Sequence, residues 1–555
     1  MYVNCHQTVV SIISLLIIAG AFSGCLNSPD KSGASDRESK SANLEKISFD
    51  GGLKLNPASY QALPLLSSLI VNRRINFDIN ESGSIFDDIS LFSSRIAISF
   101  WNCSNDLFVV DSYKNLLLVS SLAKMLNAPI LVYGNGTEEA IATIKPQKIF
   151  SVGNVPISAT KLSPEDIIER QIEIAKNSHT ELDYLVLVNS NDSASKIPGL
   201  SSFGALLACY HNGLIFEVTN ETYPKGAITD TNASGLLGKI KLFYKSLEEK
   251  NVKLKHVCIV GGADAIPQIA NETFREKPPM YCEAYSDNYW GDVDGNAVFP
   301  EFGVGRFLAA NLIDAWSLFA RYFNYKQYLE SDVLDSLSWK NSALVFFGND
   351  LAMLAPSFER GTVDFMKANF TTYQLVDLSS GTDAEKQIIA TFMERSNFIR
   401  LLNHGTVEGG IRDMDFARMK LGPSIMFAES CSAGKIDGNV SINSSAVYQS
   451  IRSGLATYIG ATGISGSGYA IPTGPIAFHE IGSDPLATAF FKRLCEQNMS
   501  IGTALKEAKI HFIEEAGFYP INPYMGYSDM FEAYQYTLYG DPAFNPYEPC
   551  NEGSA

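Results

Sequence analysis

The chain has 555 residues, of which 46% are hydrophobic and 19% are charged, and its formal net charge is −17. This composition excludes a disordered polymer, and the lack of a basic stripe in an acidic chain argues against nucleic acid as a partner. A chain of this length exceeds what one hydrophobic core organises, so we expect two or three domains.

The N-terminus carries a predicted export signal. Residues 9–21, VVSIISLLIIAGA, form an apolar run that is too short to span a bilayer comfortably. The following FSGC ends at Cys25 and resembles the lipobox of prokaryotic lipoproteins, in which this cysteine is lipidated. The resemblance implies a signal peptide over residues 1–25 and a lipid anchor on the extracellular face of the cytoplasmic membrane. An ordinary signal peptide and an N-terminal membrane anchor are the alternatives, because MYVNCHQT has neither Lys nor Arg.

Two segments separate this signal from the first clear folding pattern. Residues 26–48 are polar and rich in Ser, which predicts a flexible tether. Residues 49–105 contain short alternating runs such as RIAISFW but no clear unit, so we interpret them as an N-terminal extension. The nine cysteines of the chain include no Cys-x-x-Cys pair that would indicate a metal site.

Residues 106–335 alternate strand-like and helix-like runs, which predicts a parallel α/β sheet. The runs DLFVVD, APILVYG and KIFSVGNVP have the character of strands. The pattern then repeats from LDYLVLVNSND, and LKHVCIVGGADAIP matches the earlier PQKIFSVGNVPI. We interpret this as an internal duplication. The copies resemble the cell-wall-binding repeats of prokaryotic surface proteins, which implies a wall or surface-layer polymer as a partner.

Residues 336–549 form a second α/β series. SALVFFGND, NFIRLLNHG, SIMFAES and GLATYIGAT are apolar runs of strand length, and AEKQIIATFMER and PLATAFFKRLCEQ have helical spacing. The fold predicted for the chain is therefore α/β, with two adjacent subdomains whose sheets are mainly parallel.

Three polar residues directly follow strands of this second series. Asp350 follows ALVFFGN, His404 follows FIRLLN and Cys431 follows IMFAES. Because the carboxyl ends of parallel strands meet at one edge of a sheet, the three side chains are expected to lie together. A thiolate there could attack an acyl carbon while the imidazole accepts and returns the proton. A small buried cysteine and an ordinary turn histidine are the alternatives.

The same residues resemble a family. LLNHGTVEGG followed by FAESCSAG is similar to the His-Gly and strand-end Cys motifs of the gingipain-type peptidases, which share the caspase–hemoglobinase fold. VCIVGGADAIP, YSDNYWGDVDGNAVFPEFGVGRF, GLATYIGATGISG and TLYGDPAFNP extend the resemblance over about residues 257–547. The resemblance implies a caspase-like second subdomain. It also implies a cysteine endopeptidase that cleaves protein or peptide substrates through a thioester acyl-enzyme, with no cofactor required for the chemistry.

Site roles carried over from the resemblance fall on four residues. Cys431 would be the nucleophile and His404 the general base and acid. The backbone N–H groups of Gly405 and Cys431 would form the oxyanion hole. Asp350 stands where the family has its orienting carboxylate, although the family residue there is Glu.

Two further residues would contact the substrate. Tyr469 stands near the aromatic residue of the family's specificity pocket. Glu359 lies close to the place where an acidic residue selects basic side chains in arginine-specific members, and the alternative is a glutamate on an exposed helix face.

The segment SDNYWGDVDGN groups oxygen-bearing side chains around glycines. Asp287, Asp292, Asp294 and Asn296 are the ligand types that Ca²⁺ prefers, and the family's calcium dependence points the same way. The alternative is an acidic turn that caps itself. For the chain as a whole, the alternative to a peptidase is a surface or wall-binding protein with an inactive peptidase-like domain.

Overall fold

The computed structural model describes the chain in several segments. These are residues 44–47, 52–272, 284–348, 351, 362–378, 382–412, 414–438, 440–466, 469–472, 478–481, 483–516 and 529–554. Cys25, Asp350 and Glu359 lie outside the described residues. The chain divides into two compact units, Met1–Asp166 and Ile167–Ala555. Among the described helices, none combines the length and apolar character needed to cross a membrane.

The first unit contains a four-stranded parallel sheet and a separate parallel strand pair. Its strands are β1 (Leu53–Leu55), β2 (Phe77–Ile79), β3 (Asp106–Val110), β4 (Ile130–Val132), β5 (Lys148–Val152) and β6 (Thr160–Leu162). Its helices are α1 (Leu63–Arg73), α2 (Ile89–Phe100), α3 (Tyr113–Met125) and α4 (Thr137–Ile144). Strands β1 and β2 form the pair, and the larger sheet has the order β4-β3-β5-β6.

The segment predicted as an N-terminal extension is part of this unit's core. Ala97 and Ile98 of α2 are buried with Leu107 and Val109 of β3 in one apolar cluster. Asp88 begins α2 as its N-cap, since its carboxylate accepts the backbone N–H groups at the start of the helix. The sequence did not reveal this helix, because α2 buries a broad face, whereas a regular apolar stripe is the usual sign of a helix.

The second unit is built from longer elements. Its strands are β7 (Tyr184–Asn189), β8 (Leu214–Thr219), β9 (Ala227–Thr229), β10 (His256–Val260), β11 (Gln268–Ala270), β12 (Gly303–Phe307), β13 (Ser342–Gly348), β14 (Thr371–Leu378), β15 (Phe398–Leu402), β16 (Ile425–Glu429), β17 (Thr457–Ala461), β18 (Tyr469–Pro472), β19 (Phe478–Ile481), β20 (Tyr536–Tyr539), β21 (Asn545–Glu548) and β22 (Asn551–Ser554). The helices from residue 164 onward are α5 (Pro164–Ser178), α6 (Ser202–His211), α7 (Asp230–Glu249), α8 (Leu312–Phe323), α9 (Tyr325–Leu329), α10 (Asp332–Ser336), α11 (Asp364–Asn369), α12 (Asp383–Glu394), α13 (Ala446–Ser453), α14 (Ser483–Gln497), α15 (Ile501–Ala516) and α16 (Asp529–Gln535).

One ten-stranded sheet runs through this unit in the order β14-β13-β15-β16-β17-β20-β12-β10-β7-β8. We call β7, β8, β10 and β12 the first block, and β13 to β17 the second block. Each block is parallel internally. Strand β20 is antiparallel to β17 and parallel to β12, so the two blocks run in opposite directions. This sheet confirms the predicted α/β class and is consistent with a caspase-like fold.

The division of the chain differs from the predicted boundaries. The break falls after Asp166, inside the segment 106–335 that we interpreted as one region. The first block cannot separate from residues 336–549, because β12 bonds to β20 within a single sheet. The four-stranded sheet of the first unit and the first block share one strand order, second-first-third-fourth, as a duplication would require. The two sheets nevertheless belong to different units, and the duplication stays a prediction.

Each block buries an arginine against carboxylates. Arg306 of β12 makes a two-pronged contact with Asp287, through Nε at 2.8 Å and Nη2 at 2.6 Å. Arg400 of β15 bonds Glu429 of β16 through Nε at 2.5 Å and also contacts Asp484 of α14. Burial lowers the pKa of Arg400, but the charges of the two acids outweigh it and raise that pKa. The Arg400–Glu429 pair joins two neighbouring strands, whereas Arg306 joins β12 to the segment that precedes it and Asp484 adds a contact from α14.

Candidate active site

The predicted histidine and cysteine lie at the ends of two paired strands. The parallel register of β15 and β16 matches Leu402 with Glu429. His404 and Cys431 each follow the matched residue by the same two positions. Both side chains are half-buried. The structure therefore brings the two residues to one edge of the sheet, where the sequence placed them.

Gly405 makes the closest contact between the two strand ends. A Cβ atom built on this glycine would overlap the carbonyl group of Cys431 and would lie 2.9 Å from the Cys431 nitrogen. Only glycine leaves room for that approach. Gly405 also begins a short hairpin by bridging to Ile411, so the loop that carries His404 lies directly on the backbone of Cys431.

The contact continues along the hairpin through two more glycines. A Cβ on Gly409 would lie 2.9 Å from the carbonyl oxygen of Lys435, and one on Gly410 would lie 3.1 Å from that of Ser444. We call Gly405, Gly409 and Gly410 the glycine seam. The seam joins the histidine hairpin to the loop that follows Cys431, which fixes the two residues relative to each other.

Asn403 holds the start of the hairpin. Its side-chain oxygen accepts the His404 backbone N–H at 2.8 Å, and its amide donates to the Arg412 carbonyl at 3.0 Å. The carbonyl of His404 accepts the Arg412 N–H at 2.8 Å. Asn403 also lies against Gly348, the last residue of the neighbouring strand β13. Asp350 comes two residues later along the chain, and its role as the orienting carboxylate stays a prediction.

The Cys431 thiol rests against a carbonyl group. Its Sγ donates to the carbonyl oxygen of Ser465 at 3.3 Å. Burial raises the pKa of the thiol, and the negative charge of Glu532 raises it further. A base that removes the thiol proton would therefore assist an attack by the sulfur.

Two backbone N–H groups lie beside the thiol, those of Gly405 and Cys431. Neither donates to a backbone carbonyl among the described residues, and the Cys431 N–H bonds its own sulfur, which lowers the pKa of the thiol. Ser432, which adopts a left-handed conformation with φ of 56°, donates instead to the Gly463 carbonyl at 2.6 Å. The Ser432 N–H is therefore engaged by Gly463, and the oxyanion-hole role of the Gly405 and Cys431 N–H groups stays a prediction.

Of the two residues predicted to select substrate, Tyr469 is among the described residues. Tyr469 begins β18, which pairs with β19 in an antiparallel hairpin. This hairpin follows the segment 463–466, whose Ser465 carbonyl contacts the thiol. Tyr469 therefore lies close in sequence to the segment that contacts the Cys431 thiol, and its role in specificity stays a prediction.

The structure does not assemble the predicted calcium ligands as one set. Asp287 directs both carboxylate oxygens at Arg306. Asp292 and Asp294 instead group with Glu301, with one oxygen from each lying within 4.8 Å of the others. Ca²⁺ takes six to eight oxygen ligands, so these three carboxylates would need bidentate binding or further oxygens to complete a site.

Local bonds also occupy the remaining predicted ligands. Asp292 accepts the Gly295 N–H at 2.7 Å and pairs with Lys241 at 3.3 Å. The Asn296 oxygen accepts the Val298 N–H at 3.4 Å. The segment therefore behaves as a self-capped turn beside a lysine, and calcium binding stays a prediction.

Two buried acids near the site were missed from the sequence. Glu429 precedes Cys431 by two residues and pairs with Arg400. The signal was a single arginine inside the apolar run FIRLL, because a charge in a buried strand needs a partner. Glu532 lies on α16, with its carboxylate on the segment that supports the thiol. Nothing in the local sequence marks that glutamate.

Three solved structures show distant likenesses to the chain. A protease is 15% identical with a TM-score of 0.44, and the match covers 67% of this chain and 81% of that one. The separase–securin complex of Saccharomyces cerevisiae is 12% identical with a TM-score of 0.31, covering 54% and 17% of the two chains. Cwp8 from Clostridium difficile is 16% identical with a TM-score of 0.25, covering 57% and 47%. These scores are too low to bear on function.

The family is established by sequence. No curated protein matches the chain significantly. The model of peptidase family C25 matches residues 209–547, which is more than half of the 555 residues and includes the second block together with β8, β10 and β12 of the first block. His404, Gly405 and Cys431 all fall inside the match. The chain therefore belongs to peptidase family C25, the gingipain family of cysteine peptidases.

Proposed function

We propose that the chain is an exported cysteine endopeptidase in which Cys431 is the nucleophile and His404 is the general base and acid. The observation that carries this proposal is the contact of Gly405 with the Cys431 backbone at the ends of two registered strands. Membership of peptidase family C25 supplies the reaction class, and the roles of Cys431 and His404 rest on this contact.

The first half of the reaction forms an acyl-enzyme. His404 takes the proton from the Cys431 thiol, which otherwise donates it in a hydrogen bond to the Ser465 carbonyl. The thiolate then attacks the peptide carbonyl carbon. The N–H groups of Gly405 and Cys431 stabilise the oxyanion. When the carbon–nitrogen bond breaks, the imidazolium gives its proton to the leaving amine. The products of this half are a thioester on Cys431 and the free amino-terminal end of the second fragment.

The second half returns the enzyme to its starting state. His404 removes a proton from water, and the hydroxide oxygen attacks the thioester carbon. The carbon–sulfur bond breaks and the proton returns to sulfur, which restores the thiol and releases a carboxylic acid. The raised pKa of the free thiol fits this scheme, because a protonated nucleophile needs a general base.

Substrates of this reaction are proteins or peptides. We propose that Tyr469 and Glu359 contribute to the choice of the side chain that precedes the cleaved bond, as the family resemblance implies. Cleavage of a peptide library, followed by mass spectrometry of the products, would identify that side chain. A profile without any preference would contradict a role for the two residues in specificity.

We further propose that lipidated Cys25 anchors the enzyme on the extracellular face of the cytoplasmic membrane. The polar residues 26–48 would then act as a tether between the anchor and the folded units. Expression of Cys25→Ala in cells should release the protein from the membrane fraction. Retention of that variant in the membrane would favour an N-terminal membrane anchor instead.

Covalent labelling tests the proposed chemistry. Iodoacetamide or an acyloxymethyl ketone should label Cys431 in the full-length protein, and His404→Ala should abolish that labelling. Cys550→Ala removes an exposed thiol and serves as a matched control that keeps the labelling of Cys431. Because the family can require activation, both the intact and any trimmed form found by mass spectrometry should be treated, with calcium present. Absence of labelling in both would favour the surface-binding alternative with an inactive domain.

A further inference from the structure

Glu532 on α16 is fully buried, and its carboxylate accepts three hydrogen bonds. One oxygen accepts the backbone N–H of Gly466 at 2.8 Å. The other accepts the Ser465 hydroxyl at 3.0 Å and the Gln535 amide at 3.0 Å. A buried charge is costly unless it is bonded in this way, so the three donors and the carboxylate hold one another in place.

The segment that Glu532 holds is the one on which the nucleophile rests. The carbonyl of Ser465 accepts the Cys431 thiol at 3.3 Å. Gln535 supports the same segment, since its amide donates to the Ile464 carbonyl at 3.0 Å and its oxygen accepts the Gly463 N–H at 3.2 Å. Glu532 and Gln535, one helical turn apart, therefore hydrogen-bond to the four consecutive residues 463–466 beside the thiol.

We propose that Glu532 is a positioning residue for the nucleophile, because through Ser465 and Gly466 it fixes the carbonyl against which the Cys431 thiol rests. This proposal rests on the proposed role of Cys431. The residue does not touch the reacting atoms. It acts by keeping the sulfur in one orientation from which His404 can take the proton, and a misplacement of that sulfur would slow the attack.

The charge of Glu532 has a second effect that separates positioning from mere packing. A negative charge close to the sulfur disfavours the thiolate, in addition to the effect of burial. Glu532→Gln keeps the shape of the side chain and removes the charge. A residue that served only the fold would leave the pH dependence of thiol alkylation unchanged, whereas Glu532 should alter it.

A matched control exists in the first block. Asp192 is also a buried carboxylate, and it accepts the backbone N–H groups of Gly199 at 3.1 Å and Ser201 at 2.8 Å. Its charge is not among the influences on the Cys431 thiol. Asp192→Asn therefore removes a buried, backbone-bonded charge of the same kind without touching the nucleophile's support.

The experiment compares the two variants with the unaltered protein. The rate of Cys431 alkylation by iodoacetamide is measured from pH 6 to pH 10, together with kcat and KM on a cleaved peptide. For Glu532→Gln we expect the alkylation midpoint to move to lower pH, with a rate at pH 7 that is about threefold higher or more. We expect kcat to fall about tenfold while KM changes little, because the sulfur loses its fixed orientation. Asp192→Asn should change neither quantity.

The outcomes separate this inference from the function on which it rests. An alkylation profile and a kcat of Glu532→Gln that match those of Asp192→Asn would overturn the positioning role. If Glu532→Gln does not fold, Ser465→Ala removes only the hydroxyl that joins the two residues, and an unchanged kcat in that variant would overturn the role as well. Failure of Cys431 to react in the unaltered protein would instead overturn the proposed nucleophile.

Discussion

The two blocks of the large sheet have the same strand order and different chemistry. In each block the first strand lies between the second and the third, and the fourth lies beyond the third. His404 and Cys431 come two residues after the third and fourth strands of the second block. The corresponding residues of the first block are Gly262 and Ala309. The shared order therefore creates strand ends in both blocks, and the side chains at those ends decide which block carries a reaction.

Loops of the first block contact the loop that follows Cys431. The Lys196 ammonium group donates to the carbonyl oxygens of Asp437 at 3.3 Å and Val440 at 2.9 Å, both on the loop that follows Cys431. The Gly438 N–H of the same loop donates to the Lys225 carbonyl at 3.1 Å. Loops of the first block thus hold the loop that the glycine seam contacts from the other side. These three contacts involve residues 437–440 and not the segment 463–466, on which the Cys431 thiol rests.

The largest effect that distinguishes the blocks is expected from their buried arginines. Removal of one partner leaves a buried charge uncompensated, which costs about 3 to 5 kcal/mol of unfolding free energy. Arg306→Met would strand one carboxylate, that of Asp287, whereas Arg400→Met would strand two, those of Glu429 and Asp484. We therefore expect Arg400→Met to be the more destabilising variant in urea unfolding. It should also lower kcat, since Glu429 lies two residues before Cys431.

An exposed pair supplies the control for this comparison. Arg418 and Asp415 form an ion pair at 2.8 Å in which the Arg418 side chain is 86% exposed. Arg418→Met should cost less than about 1 kcal/mol, because water screens an exposed pair. If Arg306→Met and Arg400→Met lost equal free energies of unfolding and kept kcat unchanged, the comparison would fail. The buried arginine of the second block would then have no influence on Cys431.

The next effect concerns the glycine seam. Gly405→Ala would force a methyl group into the carbonyl of Cys431, so the hairpin or the nucleophile must move. We expect kcat/KM on a cleaved peptide to fall about 100-fold, because catalysis is sensitive to displacements of this size. Gly235→Ala on α7 of the first block is the control, since nothing lies within 4 Å of its added methyl group. That variant should keep full activity and gain up to about 1 kcal/mol of stability.

An active Gly405→Ala enzyme would contradict the seam. If the alanine variant cleaved the peptide at a near-normal rate, the loop and the nucleophile would have to separate easily. The tight contact would then be incidental to the placement of His404. A variant that unfolds can be recognised from its urea midpoint, and Gly410→Ala, whose added methyl group would lie 3.1 Å from the Ser444 carbonyl oxygen, then tests the same seam at its other end.

The sequence predicted the parts of the site that depend on neighbours along the chain. The apolar runs that became β15 and β16 each ended on a polar residue, and parallel pairing then brought His404 and Cys431 together. Glu532 could not be found in this way, because 67 residues separate it from Ser465 and only tertiary folding joins them. The partner of Asp287 was also hidden from the sequence, because Arg306 lies 19 residues further along the chain and only folding brings the two together. The short acidic motif of Asp287 is typical of a metal loop, but its carboxylate bonds an arginine on β12.

The unit boundary shows the same limit at a larger scale. The two α/β patterns were read as separate because each has a complete set of strands and helices. The pairing that joins them, Arg306 of β12 with Tyr539 of β20, links residues far apart in the chain. Periodicity reports which residues form strands, and it carries no information about which strand lies next to which.

The smallest effect is expected at the junction of the two blocks. Lys509 of α15 is buried, and its ammonium group donates to Asn288 at 2.8 Å and to the carbonyl of Tyr536 on β20 at 2.7 Å. Burial lowers the pKa of Lys509 to about 7, against the opposing influence of Asp287. Above that pH the folded protein holds the amine neutral, whereas the unfolded chain keeps it protonated to about pH 10.

Because the unfolded chain then binds more protons, the contribution of Lys509 to stability rises with pH above about 7. Urea midpoints of the unaltered protein and of Lys509→Met, measured at pH 7 and pH 8, isolate this term, since all other groups titrate in both. The unaltered protein should gain about 1 kcal/mol relative to the variant over that interval. A constant difference between the two proteins would mean that the junction keeps Lys509 charged. The contact between the blocks would then be an ionic bridge toward Asp287 rather than a neutral hydrogen-bonded one.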